Sequence, residues 1–316
     1  MPMDKKLFAV ALGLLAEHPK TNQLGPVHRV TTIRTFKDLH ALCEAPDEVL
    51  DGMGRAATAG RSARETLQTV GVEAFEASAA RLIETHLDAG ISIAAIDDGE
   101  YPGVLALAPD APPVIYWRGK LEPISIASAA VVGTRQPTEM GRSIAERLSA
   151  HLASKGVAII SGLALGIDTV AHEAALRAGG YTAAVLAQPL DQVAPASNRK
   201  LAFDIVESGG ALIGEHPIGK VTDLYEFARR DRIQSGLSRI VIPIQTGEEG
   251  GTQNTIKAAK SQQRQIWAPR TENEGGHEKW KGIEALLSTG AARGFTSADY
   301  EEMVTASKAQ FSLWQS

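Results

Sequence analysis

Along the 316-residue chain the apolar positions keep two different rhythms. As far as Asp88 they recur three and four residues apart, as at Phe36, Leu39 and Leu42 and again at Leu82, Ile83 and Leu87, the spacing of a buried helix face. From residue 91 onward short apolar runs take over, at 91–96, 114–117, 127–132, 157–160, 182–186, 211–213, 239–244 and 265–268. Runs of that length, bounded by turn-forming residues, read as buried strands. Helical stretches lie between them. Thr138 is placed to cap one of these, with Ile144, Leu148 and Leu152 on its buried face. Another carries His172, Leu176 and Arg177, and two more span 197–208 and 252–262. Strand and helix alternating in this way predict an α/β fold with a doubly wound, mostly parallel sheet. The expected organisation is a smaller N-terminal helical domain over 1–94, the sheet domain over 95–270, and a short helical extension over 271–316 packing on it.

In such a sheet the strand-to-helix loops emerge at the carboxyl edge, where ligands bind. The loops expected there, 133–138, 161–168, 188–198, 214–219 and 245–252, share glycines, hydroxyls and amides. That composition suits backbone cradling of phosphates and is poor in catalytic pairs. The sharpest instance is the run that ends at Gly133 and resumes as a helix after Pro137. A strand feeding a helix through a glycine-containing loop presents N–H groups to an anion, and Arg135 adds a positive charge. Glycine at such a turn also serves purely steric needs, and the spacing to Gly141 is neither Gly-x-Gly-x-x-Gly nor a Gly-Lys-Ser/Thr loop. A second signal is Phe227-Ala228-Arg229-Arg230-Asp231-Arg232-Ile233, in which Asp231 offsets only one of three guanidiniums. Such a cluster is either an anion site or a solvated, salt-bridged helix face.

Charge and composition narrow the partners. With 37 acidic and 32 basic residues, a net charge of −5 and a pI near 5.9, the protein meets nucleic acid only through a local basic patch. One cysteine, Cys43, excludes an internal disulfide framework and a cysteine-rich zinc site, which suits a reducing cytoplasm. Its expected place is in core packing. Lys5 and Lys6 before the apolar residues 7–16 imitate the start of a secretory signal, but the following Glu17-His18-Pro19-Lys20 has no small-residue cleavage site, so a short core helix is expected. No segment reaches membrane-spanning length. Arg55, Arg61 and Arg64 read as a solvated helix face. Asp97 and Asp98 read as turn chemistry rather than a metal site. No metal or other cofactor is expected, because no His, Cys and carboxylate cluster stands at ligand spacing.

Several motifs resemble those of the DprA/Smf family of DNA-processing proteins. Val132-Gly133-Thr134-Arg135-Gln136-Pro137-Thr138 is similar to its V-G-[ST]-R-x-x-[ST] start. Ser161-Gly162-Leu163-Ala164 with Gly166-Ile167-Asp168 and His172 resembles S-G-L-A-x-G-I-D-x-x-A-H, the most specific match. Asn198-Arg199 with Leu201 resembles N-R-x-L. Phe227, Arg229 or Arg230, Arg232-Ile233 and Gly236-Leu237-Ser238 resemble F-x-x-R-N-R-I-I-x-G-L-S. Gly251-Thr252, Thr255 and Ala259 fall where the family has S-G-[ST]-x-x-T-x-x-x-A. The likeness covers roughly residues 97–302, beginning with the Tyr101-Pro102 loop.

The resemblance implies an extended Rossmann-like domain that binds single-stranded DNA without cutting it. It further implies a homodimer that protects incoming DNA in transformation and helps load the RecA recombinase. The residues it assigns to DNA or phosphate are Gly133, Thr134, Arg135, Ser161, Gly162, Gly166, Asp168, Asn198, Arg199, Phe227, Arg229, Arg230, Arg232, Gly251, Thr252 and Thr255. Departures accompany the matches. Leu165 stands where the family has Arg, Asp231 replaces the Asn of R-N-R, and no winged-helix domain follows within the 316 residues. Two other readings stay open: a sensor that binds a free nucleotide at the same edge, and an enzyme like the phosphoribohydrolases of the same superfamily. For the enzyme, Gly250-Gly251-Thr252 echoes their loop, but Gln253-Asn254-Thr255 supplies no carboxylate to act as acid or base.

Overall fold

The computed structural model describes residues 4–271 and 277–308. Two compact units divide the chain: residues 1–101 with 109–117 and 215–219, and residues 102–108 with 118–214 and 220–316.

The first unit holds α1 (Lys5–Glu17), α2 (Pro26–Thr35), α3 (Leu39–Cys43), α4 (Asp47–Asp51), α5 (Ala57–Val70) and α6 (Val72–Asp88). Strand β1 (Ser92–Ala95) pairs antiparallel with β2 (Val114–Gly119). The segment that imitates a signal start is α1, capped by Asp4 and buried through Phe8, Leu12 and Leu15. Helix α6 buries a different stripe from the one its leucines suggest. Val72, Phe75, Ala79 and His86 face inward, whereas Leu87 is 57% exposed. His86 is accommodated because Nδ1 bonds the Leu82 carbonyl (2.6 Å) while Nε2 accepts from the Ile218 N–H (2.9 Å). Arg61 and Arg64 are paired with Asp51 and Asp47. Asp98 closes its turn by accepting from the Ala95 N–H (2.8 Å). Asp97 receives a two-pronged bond from Arg34, which holds its carboxyl below the usual range.

The second unit is built on β3 (Ser128–Val132), β4 (Ala158–Ser161), β5 (Thr182–Val185), β6 (Ala211–Gly214), β7 (Ile240–Pro243), β8 (Gln265–Pro269) and β9 (Arg293–Phe295). They lie in the order β6-β5-β4-β3-β7-β8-β9, all parallel. Its helices are α7 (Gly103–Ala106), α8 (Glu122–Ile126), α9 (Glu139–Ser154), α10 (Ile167–Arg177), α11 (Arg199–Glu207), α12 (Leu224–Gly236), α13 (Thr252–Ser261), α14 (Lys281–Ser288) and α15 (Tyr300–Lys308). Alternation along the strands divides the core. Ala129 and Val131 join Leu148, Leu152, Val170 and Met303 on one face, while Ala130 and Val132 join Ile256, Trp280 and Ile283 on the other. Helices therefore cover both faces, as the doubly wound reading requires.

The strand β9 is an addition to the helical extension read from the sequence. It pairs with β8, and the Arg293 guanidinium lies 4.5 Å from the Trp267 ring centroid. The rest of that segment, residues 272–276 and 309–316, lies outside the described residues. Topology also marks a place. From β3 the chain winds one way to β4, β5 and β6, then crosses back to β7 on the other side of β3. The crevice between β3 and β7 at the carboxyl edge is the switch point where such sheets bind ligands.

Candidate functional site

The turn after β3 is built tightly, and its amides are mostly occupied. Gly133 has φ outside the left-handed region; what forbids a side chain there is Ile167, whose Cγ1 would lie 2.6 Å from an added Cβ. The Thr134 N–H donates to the Gln245 carbonyl (2.8 Å). The Thr138 N–H donates to Gln245 Oε1 (2.8 Å), and Gln245 Nε2 donates to Thr138 Oγ1 (3.1 Å). Thr138 in turn caps α9 by accepting from the Gly141 N–H (3.2 Å). The expected anion cradle at the start of α9 is thus filled by the buried side chain of Gln245, which the sequence reading placed only at the head of an edge loop.

The loop after β4 is equally self-contained. Ser161 is buried, and its hydroxyl donates to the Val131 carbonyl (2.6 Å). Asp168 accepts from the Gly162 and Ala164 N–H groups (3.1 and 3.3 Å), and burial raises its pKa against the opposing charge of Arg230. Asn198, just before α11, braces the loop through Nδ2 bonds to the Leu163 carbonyl (2.8 Å) and Thr169 Oγ1 (2.9 Å). Gly166 has φ +83°, and an added Cβ would fall 2.4 Å from the Thr134 carbonyl oxygen. His172 is buried beside Thr182, Nδ1 to Oγ1 2.7 Å, and burial depresses its pKa to about 3. It is a neutral packing residue of the motif.

The basic cluster is dispersed by its own helix. Successive residues of α12 turn by about 100°, so three arginines in four positions cannot share a face. Arg230 points inward and is 7% exposed. Its guanidinium donates to the carbonyls of Gly162 (2.6 Å) and Val185 and to Asp231 Oδ1 (3.1 Å), tying the ends of β4 and β5 to α12. Arg229 faces out and pairs with Glu226 (3.2 Å), and Arg232 donates to the Arg229 carbonyl (3.1 Å). Asp231 is buried, accepts also from Gln234 Nε2 (3.0 Å), and is driven by burial to a pKa of about 6 despite Arg230.

What stays open is a cleft of about 520 Å³ at the switch point. One wall is Val132, Gly133, Thr134 and Arg135; the other is Thr246, Gly247 and residues 249–255 apart from Gln253. Asp168, Phe227, Arg230 and Asp231 border it. The wall that ends in α13 differs from the other two loops. Gly251 precedes the helix with no side-chain cap among the described residues, the Gln253 and Asn254 N–H groups bond the Gly250 and Gly251 carbonyls (3.1 and 2.9 Å), and Thr252 and Thr255 border the cleft. Arg135 is exposed, with no ion pair among the described residues. A second cleft of about 350 Å³ adjoins the first, sharing Arg135, Ala164, Leu224, Phe227 and Arg230. Gly162 and Leu165 line it too.

Of the residues singled out in the sequence, the first cleft gathers Gly133, Thr134, Arg135, Asp168, Phe227, Arg230, Gly251, Thr252 and Thr255. Ser161, Gly166, Asn198, Arg199, Arg229 and Arg232 line neither cleft. Sequence reading passed over Leu224, and it named Asn254 only for lacking a carboxylate. Asp223, which accepts from the Tyr225 and Glu226 N–H groups as the cap of α12, was the signal that could have placed Leu224 at a helix mouth.

Comparison with known proteins agrees with the motifs. A family model described as DNA recombination-mediator protein A matches residues 92–305. Protein Smf of Synechocystis is 35% identical over 60% of this chain and 48% of its own length. Protein Smf of Escherichia coli is 37% identical over 54% and 46%. The chain therefore spans about half the length of these curated relatives. The fold is that of DNA processing protein A from Streptococcus pneumoniae, with TM-score 0.75 at 24% identity over 98% of this chain and all of that one. The Helicobacter pylori DNA processing protein A, whose structure concerns its single-stranded DNA binding mode, is 25% identical with TM-score 0.59 over 68% of this chain and 94% of that one.

Proposed function

Because the chain belongs to the DNA recombination-mediator protein A family, we propose that its switch-point cleft holds the sugar–phosphate backbone of single-stranded DNA and does no chemistry on it. The observation that carries this reading is the uncapped start of α13 facing that cleft. The positive end of a helix dipole suits a phosphate oxygen. Gly133 and Thr134 form the opposite wall, Thr252 and Thr255 supply hydroxyls, and Arg135 supplies a mobile cation. Ser161, Gly162, Gly166, Asp168 and Asn198 act through the shape of the β4 loop, and Arg230 through its anchorage. Arg199, Arg229 and Arg232 serve nucleotides that leave the cleft. The buried carboxylates are already bonded, Asp168 to backbone amides and Asp231 to Arg230, which supports binding without catalysis.

Protection of the strand, delivery to the RecA recombinase and action as a homodimer are further parts of the proposal, drawn from family membership. A cytoplasmic setting belongs with them; among the described residues no helix is long and apolar enough to cross a membrane. A second reading, in which the ligand is a free mononucleotide, is favoured by Leu165 on the apolar second cleft. Titrating oligo-dT and thymidine monophosphate over a range of salt decides between them. Strand binding should weaken with salt as counterions leave the phosphates. Tight monophosphate binding with none of the strand would reject the proposal.

A further inference from the structure

Both walls of the first cleft are gripped by residues 277–282, a segment that does not itself line it. Its anchor is Trp280, fully buried with Val132, Ile256 and Ile283 on one face of the sheet. On the β7 side the Gly282 N–H donates to the Thr246 carbonyl (3.0 Å), and an added Cβ at Gly282 would strike the Gly247 carbonyl. Gln253 Nε2 holds that carbonyl from the start of α13 (2.7 Å). On the β3 side Lys279 Nζ donates to the carbonyl of Gln136 (2.8 Å), the residue after Arg135. His277 sets the turn Glu278–Trp280 by accepting from the Lys279 N–H at Nδ1 (3.2 Å).

The Lys279 contact leaves charge to spare. An ammonium has three donors, and one neutral carbonyl takes one of them. Lys279 has no carboxylate partner among the described residues, although Glu139, Glu248, Glu249 and Glu278 stand in the adjoining segments. Two unpaired cations therefore meet at the β3 turn, Arg135 in the cleft lining and Lys279 just outside it. A single phosphate in the cleft answers the first and leaves the second unmatched. A chain of phosphates answers both.

We propose that Lys279 is a second backbone cation of this protein, holding the phosphate next to the one in the cleft, so that the bound strand leaves over the β3 turn between Arg135 and residues 277–282. This rests on the single-stranded DNA reading. It also gives the site a preference for a polymer over a mononucleotide, since only neighbouring phosphates reach both cations.

The test separates the charge of Lys279 from its hold on Gln136. Lys279→Gln keeps a donor for the carbonyl and removes the charge, Lys279→Ala removes both, and Lys279→Arg keeps both. For oligo-dT the Gln and Ala variants should each lower the magnitude of the slope of log K against log salt by about 0.7, one single-strand phosphate contact, which at about 0.1 M salt is a loss of affinity of roughly five-fold. The Arg variant should keep the wild-type slope, and Arg135→Ala with Lys279→Gln should lose about 1.4, two such contacts. With thymidine monophosphate as ligand, wild type and Lys279→Gln should not differ. A wild-type slope in Lys279→Gln would overturn the proposal; if Lys279→Ala alone bound weakly, the residue would be a clasp for the turn and nothing more. A slope lowered by Arg135→Ala but not by Lys279→Gln would strike this assignment and spare the DNA reading, whereas no oligo-dT binding by the wild type would remove both.

Discussion

Asp231 is a carboxylate set into the wall of the cleft, and if phosphate binds there its ionisation sets how well. Its folded pKa of about 6 lies above the ordinary 3.8, so the fold favours the protonated form. The stability this contributes is fully present below pH 4 and is lost as pH rises through 6. Above that, the charge also repels a bound strand. Oligo-dT affinity should therefore rise as pH falls from 7.5 to 5.5, and Asp231→Asn should bind more tightly at pH 7.5 with a flattened profile. In urea melts the stability of wild type should fall more steeply than that of the variant as pH rises from 4 to 7.5. Gly166 carries a different constraint. Its φ of +83° and the Thr134 carbonyl beside it exclude a Cβ. Gly166→Ala should cost at least 1–2 kcal/mol, roughly the penalty of a left-handed residue alone, measured by urea denaturation.

At the scale of elements, α12 converts a run of arginines into separate tasks. Arg230→Ala removes the group that satisfies two carbonyls and pairs with Asp231, and loss of one partner of a buried pair costs on the order of 3–5 kcal/mol. Arg229→Ala and Arg232→Ala should change stability by less than about 0.5 kcal/mol, the range of ordinary surface substitutions. Thermal melts of the three single variants would separate them, and a harmless Arg230→Ala would refute its anchoring role. The strands were legible because each is a short apolar run ended by turn residues. Strand β9 was not, since Arg293-Gly294-Phe295 offers one buried apolar side chain in three. Helix α6 misled because Leu82, Ile83 and Leu87 imitate a face that His86 and Ala79 in fact occupy. The loops of the site were legible by composition, but the loss of their amides to Gln245 was not. That partner lies 107 residues beyond Thr138, and local patterning carries no trace of it.

For the molecule as a whole, a net charge of −5 opposes the approach of a polyanion. On the proposed reading, binding at the cleft would lean on the start of α13 and on Arg135 rather than on a cationic surface. The plot of log K against log salt for oligo-dT should accordingly be shallow. Arg135→Ala should reduce its magnitude by about 0.7, the single-strand value per neutralised phosphate. No change in slope would mean that Arg135 does not reach the backbone. The doubly wound order made this region predictable in outline, since β3 and β7 must part company where the winding reverses.

The passage of Arg230 over Gly162 has a consequence for how such a sequence can change over time. An added Cβ at Gly162 would lie 2.4–2.7 Å from the guanidinium, which its three bonds prevent from stepping aside. Neither residue is free to vary first. A lineage that drifts at Gly162 loses the fold unless position 230 has already shortened, and shortening position 230 strands the carbonyls it served. The two sites should therefore show strong epistasis: Gly162→Ala with Arg230→Lys should be less damaging than the sum of the single changes, by an amount in the 0.5–3 kcal/mol range of contacting pairs, on the order of 1 kcal/mol or more.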